Sequence, residues 1–423
     1  MMFWLYLLAC APNGSPPGPA APDTSSDGST NTTFSDPVMG AQSFAEMELL
    51  LSDPDRVAGI ALVSGSDLDH DGVHEWATTS QDWYGRDNVV RVLQDVQIVD
   101  QRMFEGQEGE RADSSWGGVL AAGDVDGDGR GDLALSERWS GDPGGAIVRL
   151  VRSLDPRDDV WVLAPDAARL AGMTLPPEES GGGLGVAWSY GMELRVDWLP
   201  ATAFAADTVE VDDDTLWLQG SFDDGYYLNG LDFVRVEGRD QLLLSAATIH
   251  ATDGATWLCE REAAILDACT ALEVDGQAGG GHAVWDEDGD GAPELIAVVG
   301  GETRGDGMVW VVDASGTVVA KVAGSRDKAL GLATTFVRDG EGEGWLLMGE
   351  RDTGLRELAY LYAFRVESLE GELVDVQADH LWHSEMHRPG FQITNHRATP
   401  TGAYEVLASQ PSAGVRRLVF PSR

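Results

Sequence analysis

The sequence predicts an all-β fold: a seven-bladed β-propeller with four-stranded blades, behind a disordered N-terminal tether. Three observations carry that reading. Short apolar runs are punctuated by 52 glycines, with 14 tryptophans spread among them, a composition of many strands and tight turns. An acid-rich loop motif recurs between such runs. Copies of that loop, intact or degenerate, start near 67, 124, 186, 233, 286, 336 and 397, which is 330 residues in six intervals and 55 on average. A period of that length, enough for about four strands and repeated seven times, points to a propeller. The formal net charge is −43. Such a surface repels nucleic acid and anionic membranes, which excludes binding to either through a basic patch.

The first ten residues, MMFWLYLLAC, resemble a bacterial lipobox, in which small residues precede a cysteine that becomes lipidated. The apolar run is too short to span a bilayer, and no Lys or Arg precedes it, unlike a standard secretory leader. By the lipobox resemblance, and despite those departures from the usual pattern, residues 1–9 are expected to be a lipoprotein signal peptide and Cys10 the lipidated residue. Ala11 rather than Asp follows the cysteine, which by the same resemblance implies the outer membrane. Residues 10–45, rich in Pro, Ser, Gly and Thr, cannot bury a core and read as a flexible tether. The repeats then fill 46–423. Two further cysteines, Cys259 and Cys269, flank a short segment. An exported chain favours a bridge between them, and buried free thiols are the alternative.

Three loops fit D-x-D-x-D-G-x-x-[DE]. They are DLDHDGVHE at 67–75, DVDGDGRGD at 124–132 and DEDGDGAPE at 286–294. Carboxylates so close together repel unless a cation sits among them. Alternate spacing turns positions 1, 3 and 5 toward one centre, glycine at position 6 permits the sharp turn, and the carbonyl of position 7 adds an oxygen. Hard oxygen ligands in that number suit calcium. An EF-hand would need Glu at position 12, where the three copies have Thr78, Leu135 and Ala297.

Degenerate copies are expected at 233–244 (FVRVEGRDQLLL), 336–347 (FVRDGEGEGWLL) and 397–408 (RATPTGAYEVLA), and a weaker one around Gly191 at 186–197. LLLSDPDRVAG at 49–59 resembles VLAPDAARLAG at 162–172, so the segment that leaves one repeat also stands before the first loop. A strand near Glu48–Leu51 is thus expected to complete the last blade, beside GVRRLVF at 414–420. GAIVRLV, GMVWVV and LAYLYAF, at 145–151, 307–312 and 358–364, read as exposed strands downstream of the loops.

The W/F-G-x-x-L-A lead, the acid loop and the apolar strand behind it resemble the FG-GAP/VCBS repeat, which builds the propeller of integrin α subunits and of many bacterial surface proteins. The resemblance spans about 46–423 and is specific in three repeats. It implies about three calcium ions, held by Asp67, Asp69, Asp71, the Val73 carbonyl and Glu75; by Asp124, Asp126, Asp128, the Arg130 carbonyl and Asp132; and by Asp286, Asp288, Asp290, the Ala292 carbonyl and Glu294.

Other constellations carry less. Arg130-Gly131-Asp132 spells an adhesion tripeptide, but the metal loop commits Asp132. In DHLWHSEMH, His383 and His387 would meet on a helix and bind zinc, whereas a strand puts His383, Glu385 and His387 on one face and His380 on the other. SGGGLG at 180–185 lacks the Lys-Ser/Thr of a phosphate loop and fits a turn leading into a blade. No residue is singled out as catalytic. The expected protein is a surface-anchored, calcium-binding lipoprotein whose propeller engages a protein or glycan, with the membrane touched only through the lipid. The alternative is a carbohydrate-active hydrolase or lyase on the same scaffold.

Overall fold

The computed structural model describes residues 42–420 apart from connecting stretches, the longest being 106–119 and 370–379. The expected leader, Cys10 and nearly all of the tether lie outside the described residues, as do Glu385 and His387.

Among the described residues seven sheets form, five of four strands and two of five. In each blade the strands are antiparallel and follow the chain, here lettered A to D from the inside out. Blade 1 runs Arg56–Ser66, Glu75–Asp82, Asp87–Gln94 and Gln97–Glu105; blade 2 runs Leu120–Gly123, Asp132–Arg138, Ala146–Leu154 and Arg157–Leu163. Blade 3 comprises Arg169–Thr174, Gly183–Tyr190, Glu193–Pro200 and Leu216–Ser221, and blade 4 Tyr226–Val236, Arg239–Thr248, Gly254–Cys259 and Thr270–Ala271. Blade 5 comprises Ala278–Trp285, Leu295–Gly300, Met308–Asp313 and Val318–Ala323; blade 6, Lys328–Arg338, Gly344–Asp352, Ala359–Arg365 and His380–Ser384. Blade 7 takes Gln392–His396, Glu405–Gln410 and Gly414–Val419 from the C-terminal end and its D strand, Glu46–Leu51, from the N-terminal side. The A strands of neighbouring blades touch all the way round, blade 7 against blade 1 included. The ring is therefore a closed seven-bladed propeller, sealed by the expected N-terminal strand, which pairs Glu46 with Val419 and Leu51 with Val415. The sealing strand covers the outer edge of Gly414–Val419, which would otherwise be open.

The core lies between blades. Seven buried apolar clusters each occupy one seam; the sealing seam holds Leu50, Leu51, Leu407 and Val415 against Leu62, Trp76 and Leu93. Because both faces of a blade are covered, some of the B and C strands are buried without alternation. Leu295–Gly300 is buried from Ile296 onward. The same packing corrects the expectation of exposed strands. GAIVRLV, GMVWVV and LAYLYAF supply C strands whose Val148, Leu150, Val309, Val311, Leu361 and Ala363 are all 0 % exposed.

Two blades carry a fifth, parallel strand. Thr208–Glu210 lies on the D strand of blade 2, and Gln42–Ser43 on the D strand of blade 6. Each directly precedes the D strand of the following blade, so one device recurs at both places. The degenerate repeat expected around Gly191 is misplaced. That position joins the B and C strands of blade 3, whose A–B connection is 175–182, and SGGGLG closes that connection rather than leading into a blade. Sequence reasoning was drawn to the wrong corner because apolar strands flank both.

Candidate metal centre

All three acid-rich loops connect an A strand to a B strand, in blades 1, 2 and 5, and so sit on one face of the ring. Their backbone follows one hydrogen-bond scheme. The position 1 carboxylate accepts from the N–H of position 6: Gly72 to Asp67 (3.0 Å), Gly129 to Asp124 (2.9 Å) and Gly291 to Asp286 (2.7 Å). Position 3 accepts from position 5, and position 5 from position 7, in every copy, at 2.7–3.2 Å. The position 9 carboxylate, first residue of the B strand or one before it, reaches back to the N–H of position 2: Glu75 to Leu68 (2.6 Å), Asp132 to Val125 (2.8 Å), and Glu294 to Glu287.

Two residues per loop adopt the left-handed conformation. Position 6 is glycine in each, with φ of 88°, 83° and 83° at Gly72, Gly129 and Gly291. Position 4 is the second, filled by His70 (65°), Gly127 (77°) and Gly289 (80°). Glycine at position 4 in two copies was the signal in the sequence, and it went unread.

The carboxylates converge. Oxygens of Asp67, Asp69 and Asp71 lie within 4.8 Å of one another, as do those of Asp286, Asp288 and Asp290, and in blade 2 those of Asp124, Asp126 and Asp132. Oxygens on opposite sides of a calcium ion are about 5 Å apart, so each group fits around one ion. Glu75, Asp128 and Glu294 are not among these atoms. Asp128 leans toward Arg130 (3.9 Å), and both are half exposed. Val73, Arg130 and Ala292 hold position 7, where their N–H groups bind the position 5 carboxylates.

One observation tests the fit beyond acid density. Glu75 is 1 % exposed, its Oε1 is buried with no hydrogen-bond partner, and Asp67 Oδ1 in the same loop is likewise unpartnered. A buried carboxylate oxygen left bare is costly, and a cation satisfies it. The electrostatics agree: burial first, then the charges of Asp69, Asp67 and Asp71, pushes Glu75 up to about 7. Burial, with Asp126 and Asp128, pushes Asp132 up to about 8. Asp132 is 1 % exposed, so the adhesion tripeptide it ends cannot present its carboxylate.

Supporting residues escaped the sequence reading. Gln94 Nε2 donates to Asp71 Oδ2 (2.8 Å), and Arg152 stands 3.8 Å from Asp126 while bonding Asp158 (2.8 Å). Loop 286–294 is clamped from both neighbours: Arg235 of blade 4 donates from its N–H to Gly291 O (2.8 Å), and Arg338 of blade 6 donates to the carbonyls of Asp286 and Glu287. Both arginines end an FVR tripeptide, at 233–235 and 336–338, a repetition that marked them. Gly127 backs onto the blade 3 connection so tightly that a Cβ there would lie 2.9 Å from Gly181 O.

The remaining expected residues are placed as follows. Cys259 and Cys269 form a disulfide that ties the C strand of blade 4 to the segment leading into its two-residue D strand. His380 and His383 lie on the D strand of blade 6 rather than on a helix, and His387 lies outside the described residues.

No family model and no curated protein matches the chain. Among solved structures, BBS1N in complex with ARL6DN superposes with a TM-score of 0.53 at 11% identity, over 89% of this chain and 96% of that one. Apo ctPRC2 in an autoinhibited state reaches 0.50 at 7% identity, over 90% and 98%. A humanized mutant of the Chaetomium thermophilum Polycomb Repressive Complex 2 bound to an inhibitor also reaches 0.50, at 9% identity over 90% and 98%. At such identities the likeness establishes the fold, and the chain is a β-propeller.

Proposed function

We propose that this protein is a calcium-stabilised propeller of the FG-GAP/VCBS kind, acting as a rigid binding platform for a protein or glycan at the cell surface. The observation that carries the calcium reading is the three-fold repetition of one loop, with the same bonds from position 6 to 1, 5 to 3, 7 to 5 and 2 to 9, and with bare carboxylate oxygens buried in the blade 1 copy. Asp67, Asp69, Asp71 and Glu75 would hold one ion, Asp124, Asp126, Asp128 and Asp132 a second, and Asp286, Asp288, Asp290 and Glu294 a third, with the position 7 carbonyls completing each. The ion's chemistry is structural: it neutralises converging carboxylates and fixes the loops on one rim. The lipobox-like Leu7-Leu8-Ala9-Cys10 and the Pro/Ser-rich stretch after it support a lipid anchor in the outer membrane and a tether.

The test is the melting temperature of the protein in excess chelator and in millimolar calcium, a concentration that fills sites of 10⁻⁴–10⁻³ M affinity. A calcium-specific rise is expected, reduced by Asp126→Ala with Asp128→Ala. Identical melting in both buffers would refute the calcium reading. The anchor is tested separately, since Cys10→Ser should move the protein from the membrane fraction to the soluble one.

A further inference from the structure

A second site lies beside the third acid loop. Between blades 5 and 6, on the loop face, is a cavity of about 650 Å³, within the usual size range of ligand sites. Trp285 and Leu369 are buried in its wall, and Glu287, Glu294, Glu343 and Glu367 line it with Arg338 and Arg365.

The lining chemistry selects the ligand. Both arginines are engaged. Arg338 lies 4.5 Å over the Trp285 ring and donates to the carbonyls of Asp286 and Glu287. Arg365 lies 5.1 Å over Trp345, with Glu367 at 3.6 Å and Glu343 at 4.0 Å. An anion would have to displace these contacts. A sugar ring lacks an open aromatic face, because Trp285 is 6 % exposed with Arg338 over it, and Trp345 is 1 % exposed between Arg365 and Phe420. Four carboxylates against two guanidiniums leave the lining acidic, in a protein whose formal charge is −43. The Trp285 indole N–H is buried without a hydrogen-bond partner, a donor that an acceptor such as a peptide carbonyl would satisfy.

We propose that this cleft binds an arginine or lysine side chain presented by a basic protein segment, the indole N–H receiving a backbone carbonyl of that segment. Arginine should be preferred, since its planar fork meets carboxylates in pairs. The inference rests on the platform reading and names its class of partner. Glu294 is the one lining carboxylate that also belongs to the third metal loop; Glu287, Glu343 and Glu367 are outside the metal set.

The experiment is fluorescence anisotropy at 150 mM salt, which screens non-specific attraction beyond about 8 Å. The probes are a labelled glycine-flanked peptide with one arginine, and its lysine, citrulline and glutamate counterparts. The arginine peptide should bind at least tenfold more tightly than the citrulline one, with free argininamide weaker than the peptide. Glu287→Gln with Glu367→Gln, both exposed positions, should weaken it at least fivefold. Asp207→Asn with Glu210→Gln, an equal charge change on exposed residues in and beside the added strand of blade 2, should leave affinity unchanged. Equal weakening by both pairs, preference for the glutamate peptide, or no binding would overturn the proposal. A calcium-dependent melting shift that survives such a failure would leave the calcium reading standing.

Discussion

Blades 5 and 6 are neighbours, and their A–B corners solve one problem in opposite ways. The blade 5 corner turns three carboxylates toward one point and takes a fourth from position 9. The blade 6 corner uses a single buried carboxylate, Asp339, surrounded by donors: the N–H groups of Glu341 (2.9 Å) and Glu343 (3.0 Å) and the indole N–H of Trp345 (2.8 Å). Asp339 is satisfied by protein alone. In the acid-rich corners a few N–H groups meet several carboxylates, each able to accept about four hydrogen bonds, and the remaining oxygens converge. Blade 4 shows a third solution, a two-residue turn of Glu237 and Gly238, both at positive φ, the usual geometry of a tight hairpin. The topology asks only that the chain reverse. Whether a cation is required depends on how many carboxylates the corner gathers.

The comparison can be broken by experiment. The largest expected effect is Asp124→Ala, which removes the acceptor for Gly127 and Gly129. In millimolar calcium it should cost about 2 kcal/mol, up to about 1.4 kcal/mol of it the linkage of one site filled at roughly ten times its dissociation constant, and in chelator under about 1 kcal/mol. Equal losses in the two buffers, read by denaturant titration, would make the loop no different from that of blade 6. Asp339→Ala should show the converse, a loss of about 2 kcal/mol from stranded buried donors that is the same with and without calcium. Replacing Cys259 and Cys269 with Ala should also cost about 2 kcal/mol regardless of calcium. A calcium-dependent loss there would tie blade 4 to the metal loops.

A smaller effect concerns pH. Glu75, raised to about 7, and Asp132, raised to about 8, hold their protons more tightly when folded than when unfolded. Each therefore favours folding in acid, and that contribution is lost as pH rises from about 4 through the folded value. In chelator, the unfolding free energy of the native protein should fall relative to that of Glu75→Gln between pH 5 and pH 8, by an amount on the order of 1 kcal/mol. Calcium should abolish the difference, because an ion favours the charged form. Parallel pH profiles in chelator would remove the buried carboxylate from the account. Smallest of all, His70→Gly relieves a side chain at φ 65° and should raise stability by about 0.5 kcal/mol, bringing blade 1 into line with its two counterparts.

Local chemistry was legible in the sequence. Gly72, Gly129 and Gly291 at position 6 mark turns that only glycine adopts freely, and alternate aspartates mark convergence, so the loops were located to the residue. The period predicted seven blades, and the repetition of 49–59 at 162–172 predicted the sealing strand, because both segments cross from an outer strand to the next inner one. These signals survive in one dimension because each is set by neighbours a few residues apart.

What the tertiary structure decided depends on distance across seams. The sequence could not show that C strands are buried on both faces, that Arg235 and Arg338 close on one loop from opposite blades, or that 175–182 rather than Gly191 forms the blade 3 corner. Nor does any local pattern show that Glu75 Oε1 is bare while Asp339 is fully met by donors. Backbone reversal is a local matter of φ and short-range hydrogen bonds, whereas burial and charge compensation depend on which blade packs against which, and ring closure alone settles that.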